Sequence, residues 1–209
     1  MRHGMTLGEI AAMANVEQGW KAKLEVVRME GWPRGAWFDE TGLPWVDPSP
    51  NMRSLNAAEL YPGLALIESN KDYSVGRGTD APFEQIGAAW IDGEKLASYL
   101  NARELPGVRV YPISFTPTAS VGAGKRLGGV RFVIVDRNAL DAVRLGLEVA
   151  AALRALYPAR VDFEASRNLI GSRMLVEALK AGEDPSALMA RVQSSLTSFI
   201  PRREKYLLY

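Results

Sequence analysis

At 209 residues the chain can form one large domain or two small ones, and 47% apolar residues give it the material for a core. Its 25 Lys and Arg against 24 Asp and Glu leave a formal charge of +1, without the basic excess of a nucleic-acid binder. The absence of cysteine excludes disulfides, thiolate catalysis and cysteine-based zinc sites, and the single histidine, His3, argues against a histidine-rich metal site or an internal Ser-His-Asp triad.

Met1-Arg2-His3-Gly4 runs directly into a helix signal, with no signal peptide and no apolar run of the ~20 residues a membrane span needs. Thr6-Leu7-Gly8-Glu9 is a capping box, with Met5 and Ile10 placed as a hydrophobic staple, and predicts a helix to about Asn15. Leu24-Glu25-Val26-Val27 reads as a strand. Gly31 to Asn51 is a long irregular stretch carrying Trp32, Trp37 and Trp45. A short helix is expected around Ala57–Leu60, ending at Tyr61-Pro62-Gly63, then a buried strand at Leu64-Ala65-Leu66-Ile67. Asp92 caps a helix through about Leu100, with Ile91 and Leu96 as its staple. Val108–Phe115 alternates as a strand, and Pro112 puts it at an edge or a bulge. Gly128-Gly129 leads into a strong strand, Val130–Val135. Leu140, Val143, Leu147, Ala150 and Leu153 mark one face of a long helix. Two further helices are expected near Ser166–Lys180 and Pro185–Ser198, the second with Asp184 as cap. The elements predict an α+β (mixed α/β) fold: a single domain over residues 1–209, with a mixed sheet and a helical C-terminal third.

The most chemically suggestive segment is Ser74-Val75-Gly76-Arg77-Gly78-Thr79. Two glycines around an arginine can bring backbone N–H groups and a guanidinium to one point, which suits a carboxylate or a cluster of hydroxyls. The same loop also fits a plain turn with glycines at positive φ. It is not a dinucleotide fingerprint, because the third glycine is missing and no helix opens after it. Glu68 and Glu84 flank the loop and are the candidate carboxylates for glycoside hydrolysis; salt-bridge or capping roles are the alternative. Asn51, after the rigid turn Pro48-Ser49-Pro50, either meets a ligand hydroxyl or caps the next helix. The three loop tryptophans suit sugar stacking, but packing of the long loop is the favoured role.

Arg2-His3-Gly4-Met5-Thr6, Gly42-Leu43-Pro44-Trp45, Pro48-Ser49-Pro50-Asn51-Met52, Tyr61-Pro62-Gly63, Ser74–Thr79, Pro82-Phe83-Glu84, Trp90-Ile91-Asp92, Phe115-Thr116-Pro117-Thr118 and Tyr206-Leu207-Leu208-Tyr209 stand in an order and spacing that resemble the C-terminal half of the exo-β-N-acetylmuramidase family, formerly a domain of unknown function. Ala89, where proline is usual, and Asn70-Lys71-Asp72-Tyr73 depart from the pattern. The resemblance implies release of N-acetylmuramic acid from non-reducing ends of peptidoglycan fragments, with no metal and no cofactor. It implies a two-domain plan: a Rossmann-like N-terminal domain carrying the catalytic glutamate in a Pro-Glu-His-Gly-like motif, and a cleft between the domains. No position here matches that motif, so the N-terminal domain is expected to be a missing partner, and this chain alone to be inactive. The full-length family is expected to be extracytoplasmic. N-acetylmuramic acid carries a lactyl carboxylate that N-acetylglucosamine lacks, and Arg77 is the candidate to bind it, supported by Ser74, Gly78, Thr79 and Asn51. The expected ligand is a muropeptide or peptidoglycan fragment, with self-association through the tryptophan-rich stretch. The rival readings are a stand-alone, non-catalytic glycan-binding module and a scaffold that docks a partner through Gly31–Asn51.

Overall fold

The computed structural model describes residues 3–209. The described residues divide into two compact bodies, one formed by Trp45–Leu188 and the other by residues 3–44 together with Met189–Tyr209.

The first body holds an antiparallel sheet of three strands, β1 (Gln85–Ala88), β2 (Val108–Phe115) and β3 (Leu127–Ile134), in the order β1-β3-β2. Strand β2 is an edge, so Pro112 falls where its missing N–H costs least. Alternation sets the faces: Val108, Val110, Val130 and Phe132 are buried, while Arg131 and Val133 turn outward. Helices α2 (Leu55–Leu64), α3 (Gly93–Asn101) and α4 (Ala142–Leu156) supply the other core layer. Asp92 caps α3 and Asp141 caps α4, each carboxylate accepting from free N–H groups of the first turn. Helices α2 and α4 meet at Gly63 and Gly146, where a Cβ on Gly63 would stand 2.0 Å from the Ala142 carbonyl. Helices α5 (Arg167–Ile170), α6 (Arg173–Ala181) and α7 (Pro185–Glu204) make the helical C-terminal third.

The α+β class is the expected one, but the sheet is antiparallel throughout rather than mixed. The reason lies in Leu64–Ile67. This expected strand instead closes α2 and continues as a 3-10 turn, Ala65–Ile67, all of it buried. A short apolar run satisfies burial equally well as helix, and α2 carries Pro62 within it rather than ending there. The single helix expected at Ser166–Lys180 is broken between Ile170 and Arg173, where Gly171 adopts positive φ. Helix α7 runs six residues beyond the expected Ser198.

In the second body, α1 (Leu7–Glu17) carries the expected capping box: Thr6 N–H donates to Glu9 at 2.7 Å, and Glu9 N–H donates to the Thr6 hydroxyl at 3.4 Å. The Glu9 side chain is fully buried and also accepts from Leu208 N–H at 2.7 Å and from Arg34. Burial pushes its carboxyl up, but the Leu208 and Thr6 N–H groups and the Arg34 guanidinium outweigh burial and hold it below the usual carboxylate range. The C-terminal Tyr209 stacks edge-on with Trp32 at 5.1 Å. Leu24–Val27 forms no strand. The stretch from Gly31 to Pro44 is irregular except for a 3-10 turn at Phe38–Thr41, with Trp32 and Trp37 partly buried; Trp45, partly buried too, and the residues to Asn51 belong to the first body.

Candidate functional site

The Ser74–Thr79 loop is pinned to the sheet by the reciprocal backbone bonds of Ser74 and Gly87, at 2.8 and 2.9 Å. Gly76 and Gly78 take φ of +80° and +77°, and a Cβ on Gly78 would lie 2.4 Å from the Ala119 carbonyl, so both positions require glycine. This tight path turns Arg77 outward. Its Nε donates to Glu68, and its guanidinium carbon lies 4.9 Å from the centre of the Phe83 ring. Nη1 and Nη2 make no hydrogen bond among the described residues, and one third of the side chain is exposed.

Phe83 is buried at φ +61°, an uncommon backbone region for a bulky side chain. Its N–H donates to the Val75 carbonyl at 2.7 Å, which ties the two ends of the loop together. Tyr61, from the last turns of α2, packs edge-on against its ring at 4.8 Å. The next residue, Glu84, is nearly buried and doubly engaged, accepting from the Ser54 hydroxyl at 2.5 Å and from Arg131 at 2.8 Å. Strand alternation places Arg131 on the outer face of β3, opposite Gln85.

Two Arg–Glu pairs thus lie on and after the loop: Arg77–Glu68, with Arg77 over the Phe83 ring, and Arg131–Glu84 at the residue that follows Phe83. Five residues after Glu68 stands Tyr73, fully buried, whose hydroxyl has no hydrogen-bond partner among the described residues. Burial first, and then the Glu68 charge, raise its hydroxyl well above the usual tyrosine range.

The other candidates have different settings. Ser74 is buried, and its hydroxyl accepts from Gly76 N–H at 3.2 Å. The Thr79 hydroxyl donates to the Gly76 carbonyl at 2.6 Å and accepts from Ala81 N–H and Gln85 Nε2, both at 3.1 Å. The Gly78 carbonyl accepts from Thr118 N–H and its hydroxyl, at 2.8 and 2.9 Å. Asn51 sits in a turn and is not the cap of α2; Ser54 is, accepting from Ala57 N–H at 3.0 Å. Arg77 pairs with Glu68, while Arg53 approaches Asp80 at 3.8 Å and Arg131 pairs with Glu84. The sequence reading missed Ser54, Tyr61, Phe83 and Arg131. A serine directly before an apolar run and an arginine inside the strongest strand were the signals available.

Two depressions, of about 410 and 450 Å³, lie elsewhere in the first body, one beside Leu105 and Arg109 and the other beside Ser114 and Arg126. Neither is lined by the loop or by the two ion pairs. Among the described residues, no group of three or more His, Asp or Glu is arranged to hold a metal ion, and no helix is long and apolar enough to cross a membrane.

Residues 59–209 match the family model described as exo-β-N-acetylmuramidase NamZ, C-terminal, and residues 1–56 match the corresponding N-terminal model. The peptidoglycan β-N-acetylmuramidase NamZ of Bacillus subtilis is 38% identical over 212 residues; the match covers all of this chain and 51% of that protein. A DUF1343 family protein of Bacteroides fragilis shares 32% identity and superposes with a TM-score of 0.88, over 98% of this chain and 56% of the other. A second DUF1343 protein of that organism, 24% identical, shares the fold with a TM-score of 0.77. The chain therefore spans about half the length of the relatives it matches, and it belongs to the exo-β-N-acetylmuramidase family.

Proposed function

We propose that this chain builds one wall of the substrate cleft of a peptidoglycan-degrading β-N-acetylmuramidase, and that Arg77 recognises the lactyl carboxylate of N-acetylmuramic acid. One observation carries the reading: the Arg77 guanidinium is fixed from its Nε side by Glu68 and from below by Phe83, while its Nη edge carries no hydrogen bond among the described residues. An arginine held in this way presents a planar, two-donor edge at little further entropic cost, the geometry a carboxylate accepts. Membership of the family supports a muramyl ligand. Ser74, Gly78 and Thr79 act through the loop's shape, since their polar groups are spent on the turn itself. Asn51 has no side-chain hydrogen bond among the described residues and stays available for a sugar hydroxyl.

Glu68 and Glu84 are proposed as holders of arginines rather than as the acid and nucleophile of hydrolysis. Each faces a guanidinium, and Glu84 is additionally bonded to Ser54. Each carboxylate is thereby engaged in holding a guanidinium rather than free to flank a glycosidic bond. The catalytic carboxylate is then supplied by the part of the family's N-terminal domain that residues 1–56 do not include, which is the partner proposed for this chain.

The test pairs binding with turnover. The chain is titrated with N-acetylmuramic acid and N-acetylglucosamine, and is incubated separately with a chromogenic β-N-acetylmuraminide. Preference for the muramyl sugar without release of the chromophore is expected. Equal affinity for the two sugars would overturn the Arg77 role, and turnover abolished by Glu68→Gln or Glu84→Gln would overturn the division of labour.

A further inference from the structure

In the second body, α1 is followed by the segment whose composition calls for a strand, yet none forms. From Lys23 to Arg28 no backbone N–H or C=O makes a hydrogen bond among the described residues. Bonds resume only at the two ends. Asn15 brackets Ala22, accepting from its N–H at 2.8 Å and donating to its carbonyl at 2.9 Å. Met29 N–H donates to the Tyr209 hydroxyl at 2.9 Å. The segment is nevertheless seated on one side, because a Val26 methyl stands 2.5 Å from where a Cβ on Gly8 of α1 would be. Val27, which strand alternation puts on the opposite side, is 89% exposed, and Leu24 is 44% exposed. Trp20 and Met29, at either end, are also exposed.

A β-branched segment with a helix on one face, an apolar residue on the other and an unpaired backbone along its length is a strand without its sheet. We infer that Lys23–Arg28 is a docking strand that adds to the edge of a β-sheet in the remainder of the N-terminal domain. Two findings choose this occupant. Residues 1–56, which contain the segment, match the family's N-terminal model, and the curated relative is about twice as long as this chain. A second copy of the chain would offer the same short segment, giving an isolated two-stranded ribbon that is marginal in water, or the edge of β2, where Pro112 lacks a ladder donor; the outer side of β1 already carries the Ser74 bridge. The inference concerns the second body and does not depend on the Arg77 reading.

The experiment mixes the chain with the polypeptide of the Bacillus subtilis relative that the match leaves uncovered, and follows amide hydrogen exchange by mass spectrometry. In the chain alone, the Lys23–Arg28 amides are expected to exchange as in an unstructured peptide; in the complex they slow by about a hundredfold or more. Val27→Pro is the second arm. The Val27 N–H is unbonded and its side chain exposed, so the variant is expected to melt with the parent chain while losing the complex, since proline cannot donate to a ladder. No complex, a complex in which these amides stay fast, or a Val27→Pro variant that binds as the parent does would each overturn the inference. Protection that rises with the concentration of the chain alone would overturn it too, and would name a second copy as the occupant.

Discussion

Replacing Arg77 separates ligand recognition from loop stability. Arg77→Ala removes a partly exposed ion pair, with side chains 33% and 22% accessible, which is worth about 0–1 kcal/mol after solvent screening. It also removes the contact with the Phe83 ring at 4.9 Å, worth about 0.5–1 kcal/mol. A loss of about 0.5–2 kcal/mol leaves a domain of ordinary stability folded. Binding should respond more strongly and selectively. The charge-assisted bonds to a lactyl carboxylate are worth about 1.5–3 kcal/mol, so affinity for N-acetylmuramic acid falls roughly ten- to a hundredfold while that for N-acetylglucosamine stays level. Arg77→Lys recovers only part of this, because an ammonium keeps the charge but offers neither the planar edge nor a separate Nε–H for Glu68. Glu68→Gln goes the other way: it keeps an acceptor for Nε, removes the competing negative charge, and raises muramyl affinity by a few-fold. Isothermal titration with both sugars reads the preference, and urea unfolding reads the stability. Lost stability with an unchanged sugar preference in Arg77→Ala would refute the reasoning and leave Arg77 as a brace for the loop.

Gly63→Ala should destabilise the first body by about 2 kcal/mol or more in urea unfolding, since its Cβ would meet the Ala142 carbonyl at 2.0 Å and force α2 from α4; a neutral result would show that the crossing yields easily. Tyr73→Phe should be neutral or stabilising by about 1 kcal/mol, because it deletes a buried hydroxyl with no partner among the described residues, and clear destabilisation in the same assay would reveal a bond to that hydroxyl. The Glu9 carboxyl is held below its ordinary value, so its contribution to stability is present above the unfolded-state pKa near 4.5 and fades as pH falls through the lower folded-state value. Acid unfolding of the parent should accordingly begin below that point, and Glu9→Gln should flatten this part of the profile; a variant with the same pH dependence as the parent would show that Glu9 is not the linked group.

The parts of this protein legible in its sequence are those decided within a few residues. Thr6 and Glu9, Asp92 and Asp184 cap their helices as read, because a capping bond spans only two or three positions. Strand β2 was visible in its alternation and β3 in the run Val130–Val135, and Pro112 pointed to the edge that β2 occupies or to a bulge. The glycines around Arg77 announced a turn with positive φ, and that is what they form. Elements that depend on a distant partner were not legible. Gln85–Ala88 has no strong strand composition and becomes β1 only by pairing with β3 over a glycine-to-glycine contact at Gly87 and Gly129. Leu64–Ile67 could bury itself as strand or helix, and the close fit of Gly63 on α4 goes with the helical choice. Leu24–Val27 has the composition of a strand but no neighbour to pair with among the described residues, and a ladder needs two sides. The site shows the same division. Sequence singled out Arg77, Glu68 and Glu84 as chemistry near one loop, but the pairing of each carboxylate with its own arginine, across 9 residues for Glu68 and 47 for Glu84, was settled by how the chain folds back on itself. Side-chain charge is written in the sequence; which opposite charge it meets is a property of the packed structure.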